Sequence, residues 1–154
     1  MITASSRGGV EQSSYSVAVI IPAFNEEGAI GQTLRSIQKL LPSAQLVVCD
    51  NRSTDKTSSE ASISGALVIQ EKKRGKGNAV RKLLTSVNAD IYILVDGDNT
   101  YDISFLPSAL ETFVQERMDL MTGNRRGHGS SFMRLGHAFG NQPVEVCYSG
   151  LRHR

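Results

Sequence analysis

Ile91-Tyr92-Ile93-Leu94-Val95-Asp96-Gly97-Asp98 is an apolar run that stops on two carboxylates separated by a glycine. A short run of β-branched and large apolar residues suits a buried strand, and in an open α/β sheet ligands gather at the carboxyl ends of strands. Strand alternation would place Asp96 and Asp98 on one side of the chain, and Gly97 would let a ligand or another backbone come close. Two hard oxygen donors suit Mg²⁺ or Mn²⁺, with water and a substrate's phosphates completing the shell. Taken alone, an Asp-x-Asp triplet also suits a solvated turn or a helix cap, so its meaning depends on what surrounds it.

Upstream, a polar leader to about Tyr15 gives way to Val17-Ala18-Val19-Ile20-Ile21, a strand of buried type. After Pro22-Ala23-Phe24, Asn25 is placed to cap a helix opening on Glu26 and Glu27, acids that suit the helix dipole. Ile30, Leu34, Ile37 and Leu41 give that helix one apolar stripe, and Pro42 ends it. Leu46-Val47-Val48-Cys49 reads as a second strand closing on Asp50, after which Ser53 or Thr54 can cap the next helix. Ala66-Leu67-Val68-Ile69 makes a third strand. Gly75 to Asn78 open a helix with Val80, Leu83, Leu84 and Val87 inward, and Pro107 starts one carrying Leu110, Phe113 and Val114. Leu120-Met121-Thr122 is a fifth strand. Strands alternating with helices imply an α/β fold with a mainly parallel sheet covered on both faces.

The 154 residues fit one domain, with 40% hydrophobic and 21% charged residues. No apolar stretch approaches the ~18 residues that span a bilayer, and the start lacks the apolar centre of a signal peptide, so a cytoplasmic setting is expected. Cys49 and Cys147 match no zinc or redox spacing. A net charge of +2 argues against a dedicated nucleic-acid binder. Local basic clusters at residues 72–76 and Arg125-Arg126 suit phosphate groups or solvated surface equally.

Residues 22–27, 50–55 and 96–98 all follow strands and should share one edge of the sheet. The turn after the first strand holds Pro-Ala-Phe-Asn-Glu-Glu rather than Gly-x-Gly-x-x-Gly, and Gly75-Lys76-Gly77 lacks the glycine spacing and hydroxyl of a phosphate loop. Ordinary NAD and ATP folds are therefore disfavoured.

Taken in order, Pro22 to Glu27, Asp50-Asn51-Arg52-Ser53-Thr54-Asp55, Arg74-Gly75-Lys76-Gly77-Asn78-Ala79 and Asp96-Gly97-Asp98 resemble the motifs of family 2 glycosyltransferases with the GT-A fold, a Rossmann-like three-layer α/β/α arrangement. Residues 99–102, Gly123-Asn124-Arg125, Arg134 to His137 and Gly140-Asn141 look closest to the branch that transfers sugars to polyprenyl or dolichyl phosphate. The resemblance covers roughly residues 16–141. It implies that Pro22, Phe24, Asn25, Glu26, Asp50 and Asp55 hold the base and ribose of a UDP- or GDP-sugar, with Asp50 on the base. Lys76 would lie near the diphosphate, and Asp96 and Asp98 would hold Mg²⁺ or Mn²⁺, the ion acting as Lewis acid on the departing nucleotide. Asp98, Arg125 and Arg134 would carry catalysis, the arginines as planar bidentate holders of phosphate. Inversion, an acceptor of the polyprenyl-phosphate or glycan kind, and peripheral contact with the membrane's inner face through that lipid are further implications; homo-oligomerisation is left open. Asp102 suits either a helper to the acceptor or a helix cap, and His128 and His137 show no ligand spacing.

Past Asn141 the chain departs from the family. Gln142 to Cys147 stand where a long apolar helix and a further strand would follow, and Val146 stands where the acid of a final Asp-x-x-Ser-Gly-x-Arg segment would be, before Ser149-Gly150-Leu151-Arg152. The expected organisation is a leader at 1–15, a nucleotide-sugar-binding domain at 16–141 and a divergent tail at 142–154. Two other readings are a catalytically defective nucleotide-binding remnant and a sugar-phosphate nucleotidylyltransferase. The latter would want a Gly-rich basic loop after the first strand, which residues 22–27 do not supply.

Overall fold

The computed structural model describes residues 15–100, 102–122 and the backbone of 145–148. Four parallel strands form the heart of one sheet: β1 (Val17–Ala23), β2 (Gln45–Asp50), β3 (Leu67–Gln70) and β4 (Ile91–Leu94). With β5 (Leu120–Thr122) and β6 (Glu145–Tyr148) the order is β3-β2-β1-β4-β6-β5. The strand β6 runs antiparallel to both neighbours, so part of the segment expected to be a tail enters the sheet between β4 and β5.

Strand alternation sorts the core into two layers. Val19, Ile21, Leu46, Val48, Ile91 and Ile93 pack on one face against α1 (Ile30–Leu40), α2 (Thr57–Ile63) and α4 (Leu106–Gln115). Ala18, Ile20, Val47, Cys49 and Tyr92 pack on the other against α3 (Lys76–Ser86). Three layers result, as the patterning implies. Each fully buried Ile or Leu contributes about 1.5–3 kcal/mol, against about 0–1 kcal/mol for an exposed ion pair such as Lys56–Glu27. The core therefore sets the stability of the fold.

Local details depart from the sequence reading at the element ends. The helix α1 begins at Ile30, not beside Asn25: the Asn25 backbone is left-handed at φ 55°, and the Glu26 carbonyl accepts from the Ala29 and Ile30 N–H groups in a separate turn. Neither Ser53 nor Thr54 caps α2; Lys56 stands at the cap position without a side-chain cap, and Asp55 Oδ1 accepts from the Thr57 N–H at 3.0 Å just ahead of the helix. On α3 the inward stripe is Ala79, Leu83 and then Val87, which leaves Val80 half-buried and Leu84 43% exposed. The strand β4 stops at Leu94, with the Val95 N–H donating to the Ile20 carbonyl, so Asp96 to Asp98 lie in the turn beyond it and alternation does not place both acids.

Candidate functional site

A cleft of about 400 Å³ opens at the carboxyl end of the parallel strands. The end of β1 supplies Pro22, Ala23, Phe24 and Glu26, the first residue past β2 supplies Asn51, and the turn after β4 supplies Asp96, Gly97 and Asp98. Arg74, Gly75, Lys76 and Ala79 close it from the approach to α3 and its first turn. Three separated motifs meet because parallel strands deliver their carboxyl ends to one edge.

Two of the walls carry charge. Lys76 Nζ lies 2.6 Å from Asp96 Oδ1, with the two side chains 61% and 27% exposed. Asp98 Oδ1 accepts from the Thr100 N–H at 3.0 Å and from Thr100 Oγ1 at 2.7 Å, which fixes the carboxylate's direction. Beneath the turn, Thr33 Oγ1 donates to the Gly97 carbonyl at 3.1 Å. A Cβ on residue 97 would come within 3.1 Å of Ile30 Cδ1 and 3.4 Å of Glu26 Cγ, so glycine lets the turn pack down on α1. Burial raises the Glu26 carboxyl above its ordinary range, and the charges of Asp98, Asp96 and Asp55 raise it further. The cleft thus gathers the carboxylates of Glu26, Asp96 and Asp98 along one lining. Among the described residues no group of three His, Cys, Asp or Glu side chains could hold a metal by itself. Hard oxygen donors of this kind fit Mg²⁺ or Mn²⁺ when a ligand's own oxygens complete the shell.

The opposite wall is aromatic. Phe24 is 40% exposed, and the Arg74 guanidinium lies over its ring, 4.8 Å from the centroid. Such a cation–π contact contributes about 0.5–1 kcal/mol and leaves a flat apolar surface at the cleft. The α3 N-terminus follows at once, after Gly75 at φ 123°, a backbone conformation that favours glycine.

Other residues assigned to the donor from sequence have structural work instead of a place on the cleft wall. Asp50 is only 4% exposed: Oδ1 accepts from the Ser53 N–H at 2.8 Å, and Oδ2 accepts from Ser58 Oγ and from Gln70 Nε2. Burial alone would raise its carboxyl, but those hydrogen bonds outweigh burial and hold it below the ordinary range. Its position has a simple cause, since Asp50 continues the alternation of Leu46 and Val48 toward α2, while Asn51 turns toward α3. Asn25 accepts from the Thr54 N–H at 2.8 Å, and Asp55 engages Thr57 and the Glu27 N–H. Four consecutive N–H groups are taken up in this way: Asn25 by Ser53, Glu26 by Thr57, Glu27 by Asp55 and Gly28 by Glu60. Asp102 Oδ1 accepts from the Ser104 N–H, as a cap of the turn before α4. Arg125 and Arg134 lie outside the described residues, as do His128 and His137. Sequence reasoning passed over Asn51, although a buried amide one residue beyond a strand end is a usable signal.

Comparison with known proteins identifies the family and the fold. The model for "Glycosyl transferase family 2" matches residues 18–145. Protein RfbJ of Shigella flexneri is 40% identical over 125 residues, covering 80% of this chain and 97% of that protein. A dolichyl-phosphate hexose transferase of Haloferax volcanii is 32% identical over 123 residues, and this chain spans 54% of its length. Among solved structures, glucosyl-3-phosphoglycerate synthase of Mycobacterium tuberculosis in complex with Mn²⁺, UDP and phosphoglyceric acid superimposes with a TM-score of 0.64 at 30% identity, covering 73% of this chain and 44% of that one. The same enzyme with Mg²⁺ and UDP gives the same values. Family model, relatives and fold therefore agree, and the chain belongs to glycosyl transferase family 2 as a GT-A nucleotide-sugar transferase domain.

Proposed function

We propose that the cleft binds a UDP- or GDP-sugar together with Mg²⁺ or Mn²⁺, and that the sugar passes with inversion to a phosphate-bearing acceptor of the polyprenyl or dolichyl phosphate class. The observation that carries this reading is the convergence, in one cleft of about 400 Å³, of an exposed aromatic face at Phe24, the cations of Arg74 and Lys76, and the carboxylates Asp96 and Asp98. A nucleotide sugar has a flat base, an anionic diphosphate and bound cation oxygens, and each finds a counterpart there.

In this reading Phe24 and Pro22 face the base, and Glu26 lies toward the ribose and the sugar. Lys76 and the α3 N-terminus face the diphosphate, where a helix N-terminus and a cation both stabilise negative charge. Asp96 and Asp98 would hold the divalent ion. When bound, that ion supplies Lewis-acid stabilisation of the charge that develops on the leaving nucleotide. Lys76 is paired with Asp96 at 2.6 Å and is in reach of the same region, so it can shift onto phosphate oxygens as the donor enters. Arg125 and Arg134 are proposed as further phosphate holders on the strength of the motif likeness alone.

The acceptor class is supported by similarity to the dolichyl-phosphate hexose transferase. A phosphate monoester is already an anion, so attack at the anomeric carbon needs no strong general base. Peripheral contact with the membrane through the lipid acceptor belongs to this proposal; no helix among the described residues is long and apolar enough to cross a membrane. Calorimetric titration with UDP, GDP and their sugars, with and without Mn²⁺, tests the donor site. Metal-dependent binding should weaken at least roughly tenfold in Asp98→Ala, the scale of one lost charged ligand. A folded wild-type chain that binds none of these nucleotides would refute the proposal.

A further inference from the structure

Asn51 borders the cleft yet is only 5% exposed, and its side chain makes three bonds to one backbone segment. Nδ2 donates to the carbonyls of Glu71 at 3.1 Å and Lys73 at 2.7 Å, while Oδ1 accepts from the Gly75 N–H at 2.7 Å. A primary amide has two donor hydrogens and one acceptor oxygen, so both donors and a lone pair go to the path from β3 into α3. The Asn51 backbone N–H donates in turn to the Ala23 carbonyl at 2.9 Å, which ties the same residue to the end of β1.

The segment held in this way carries the cationic wall of the cleft. Arg74 lies over Phe24, Lys76 reaches Asp96, and α3 starts immediately after Gly75. We propose that Asn51 is a positioning residue of the donor site, fixing residues 71–75 so that Arg74, Lys76 and the α3 N-terminus meet the diphosphate of the nucleotide sugar. The inference rests on the donor-binding reading above and adds to it the residue that sets the phosphate wall. Asparagine suits the task for a chemical reason. Aspartate could keep the bond from Gly75 but would turn its second oxygen toward two carbonyls, and alanine would release all three contacts. A segment without the clamp must be ordered by the ligand at the ligand's expense in affinity.

The test uses the full chain as wild type, Asn51→Ala and Asn51→Asp. Each is titrated with UDP and GDP, and with uridine and guanosine, in the presence of Mn²⁺, and amide hydrogen exchange is followed at Gly75. In both variants diphosphate affinity should fall roughly tenfold or more, the scale of one or two net hydrogen bonds, while nucleoside affinity stays within about threefold. The Gly75 amide should exchange faster in Asn51→Ala. If that variant does not fold, Asn51→Asp, which retains the Gly75 acceptor, carries the same comparison of diphosphate against nucleoside. Equal losses for nucleoside and diphosphate, or unchanged diphosphate affinity in a folded variant, would overturn the inference. A wild-type chain that binds no nucleotide would sink the donor-site reading, and faster Gly75 exchange would then leave Asn51 as a structural clamp without the role proposed for it.

Discussion

After β1, four consecutive backbone N–H groups from Asn25 to Gly28 are taken up by side chains of residues 53–60. After β4, by contrast, the carboxylates of Asp96 and Asp98 stand at the cleft surface beside Lys76, a half-exposed pair at 2.6 Å. Both regions end strands of one parallel sheet, and both are rich in acids. The first uses its polar groups for geometry, locking a turn onto the start of α2. The second gathers charge at the cleft. Glu26 belongs to both, since its N–H donates to Thr57 Oγ1 while its carboxyl lies among the charges of Asp98 and Asp96. Crowded like charges of this sort cost stability and are relieved by a cation, which is how a binding site differs from a scaffold.

The contrast is sharpest at Lys76. Its pair with Asp96 is half-exposed, so its removal should cost the fold little. Lys76→Ala is expected to lower sugar transfer about 10²–10³-fold, the scale of one preorganised charge-stabilising group, while the melting temperature stays within about 3 °C of wild type. Steady-state transfer rates and calorimetric melting check both halves. A large loss of stability with transfer nearly intact would place Lys76 with the scaffold and erase the distinction.

Thr57 probes the other side. It is fully buried, accepts from the Glu26 N–H at 2.8 Å and donates to Asp55 Oδ1 at 2.5 Å. Thr57→Val keeps the shape and removes the hydroxyl, leaving a backbone donor without its partner. Stability should fall by about 1–3 kcal/mol, read from urea denaturation. Once the variant is folded, nucleotide affinity should change by less than it does in Lys76→Ala. The reverse order would mean that the turn at residues 25–28 is part of the binding surface.

How far the sequence could be read follows the same divide. Buried parallel strands are nearly continuous apolar runs, so residues 17–21, 46–49 and 91–94 were legible, and the common edge of their motifs followed from topology. Polar residues at strand ends were harder. Asn25 and Asp55 have the composition of caps, turns and ligands alike, and only their partners across residues 25–28 and 53–60 decide between these roles. Asp50 and Asn51 are separable by strand parity: the former continues toward α2 and the latter toward α3. Motif likeness drew attention to the acid and away from the amide. Leu84 was misplaced by one position on a helix whose stripe is Ala79, Leu83 and Val87, because the small Ala79 gives a weak apolar signal. The strand β6 pairs with β4 and β5, and such non-local antiparallel pairing leaves no local mark in four residues.

Asp50 offers the finest test, because the scaffold reading assigns it a pH dependence with a definite sign. Burial pushes its carboxyl up, while hydrogen bonds from Ser53, Ser58 and Gln70 outweigh burial and leave it below the ordinary value of 3.8. A carboxyl depressed in the folded state binds its proton more weakly there than in the unfolded chain. Its contribution is therefore complete above the unfolded value and is lost as pH falls through the folded one. Asp50→Asn keeps an acceptor oxygen but not the charge, so at pH 7 it should be less stable than wild type by about 1 kcal/mol. The gap should hold down to about pH 4 and then close with further acidification, in a comparison of denaturation midpoints across pH. A gap that widens toward low pH would mean that the charge on Asp50 is a burden to the fold. The carboxylate would then be retained for a ligand, in line with its sequence assignment to the nucleotide base, and the division between a satisfied scaffold and a charged wall would have to be redrawn through β2.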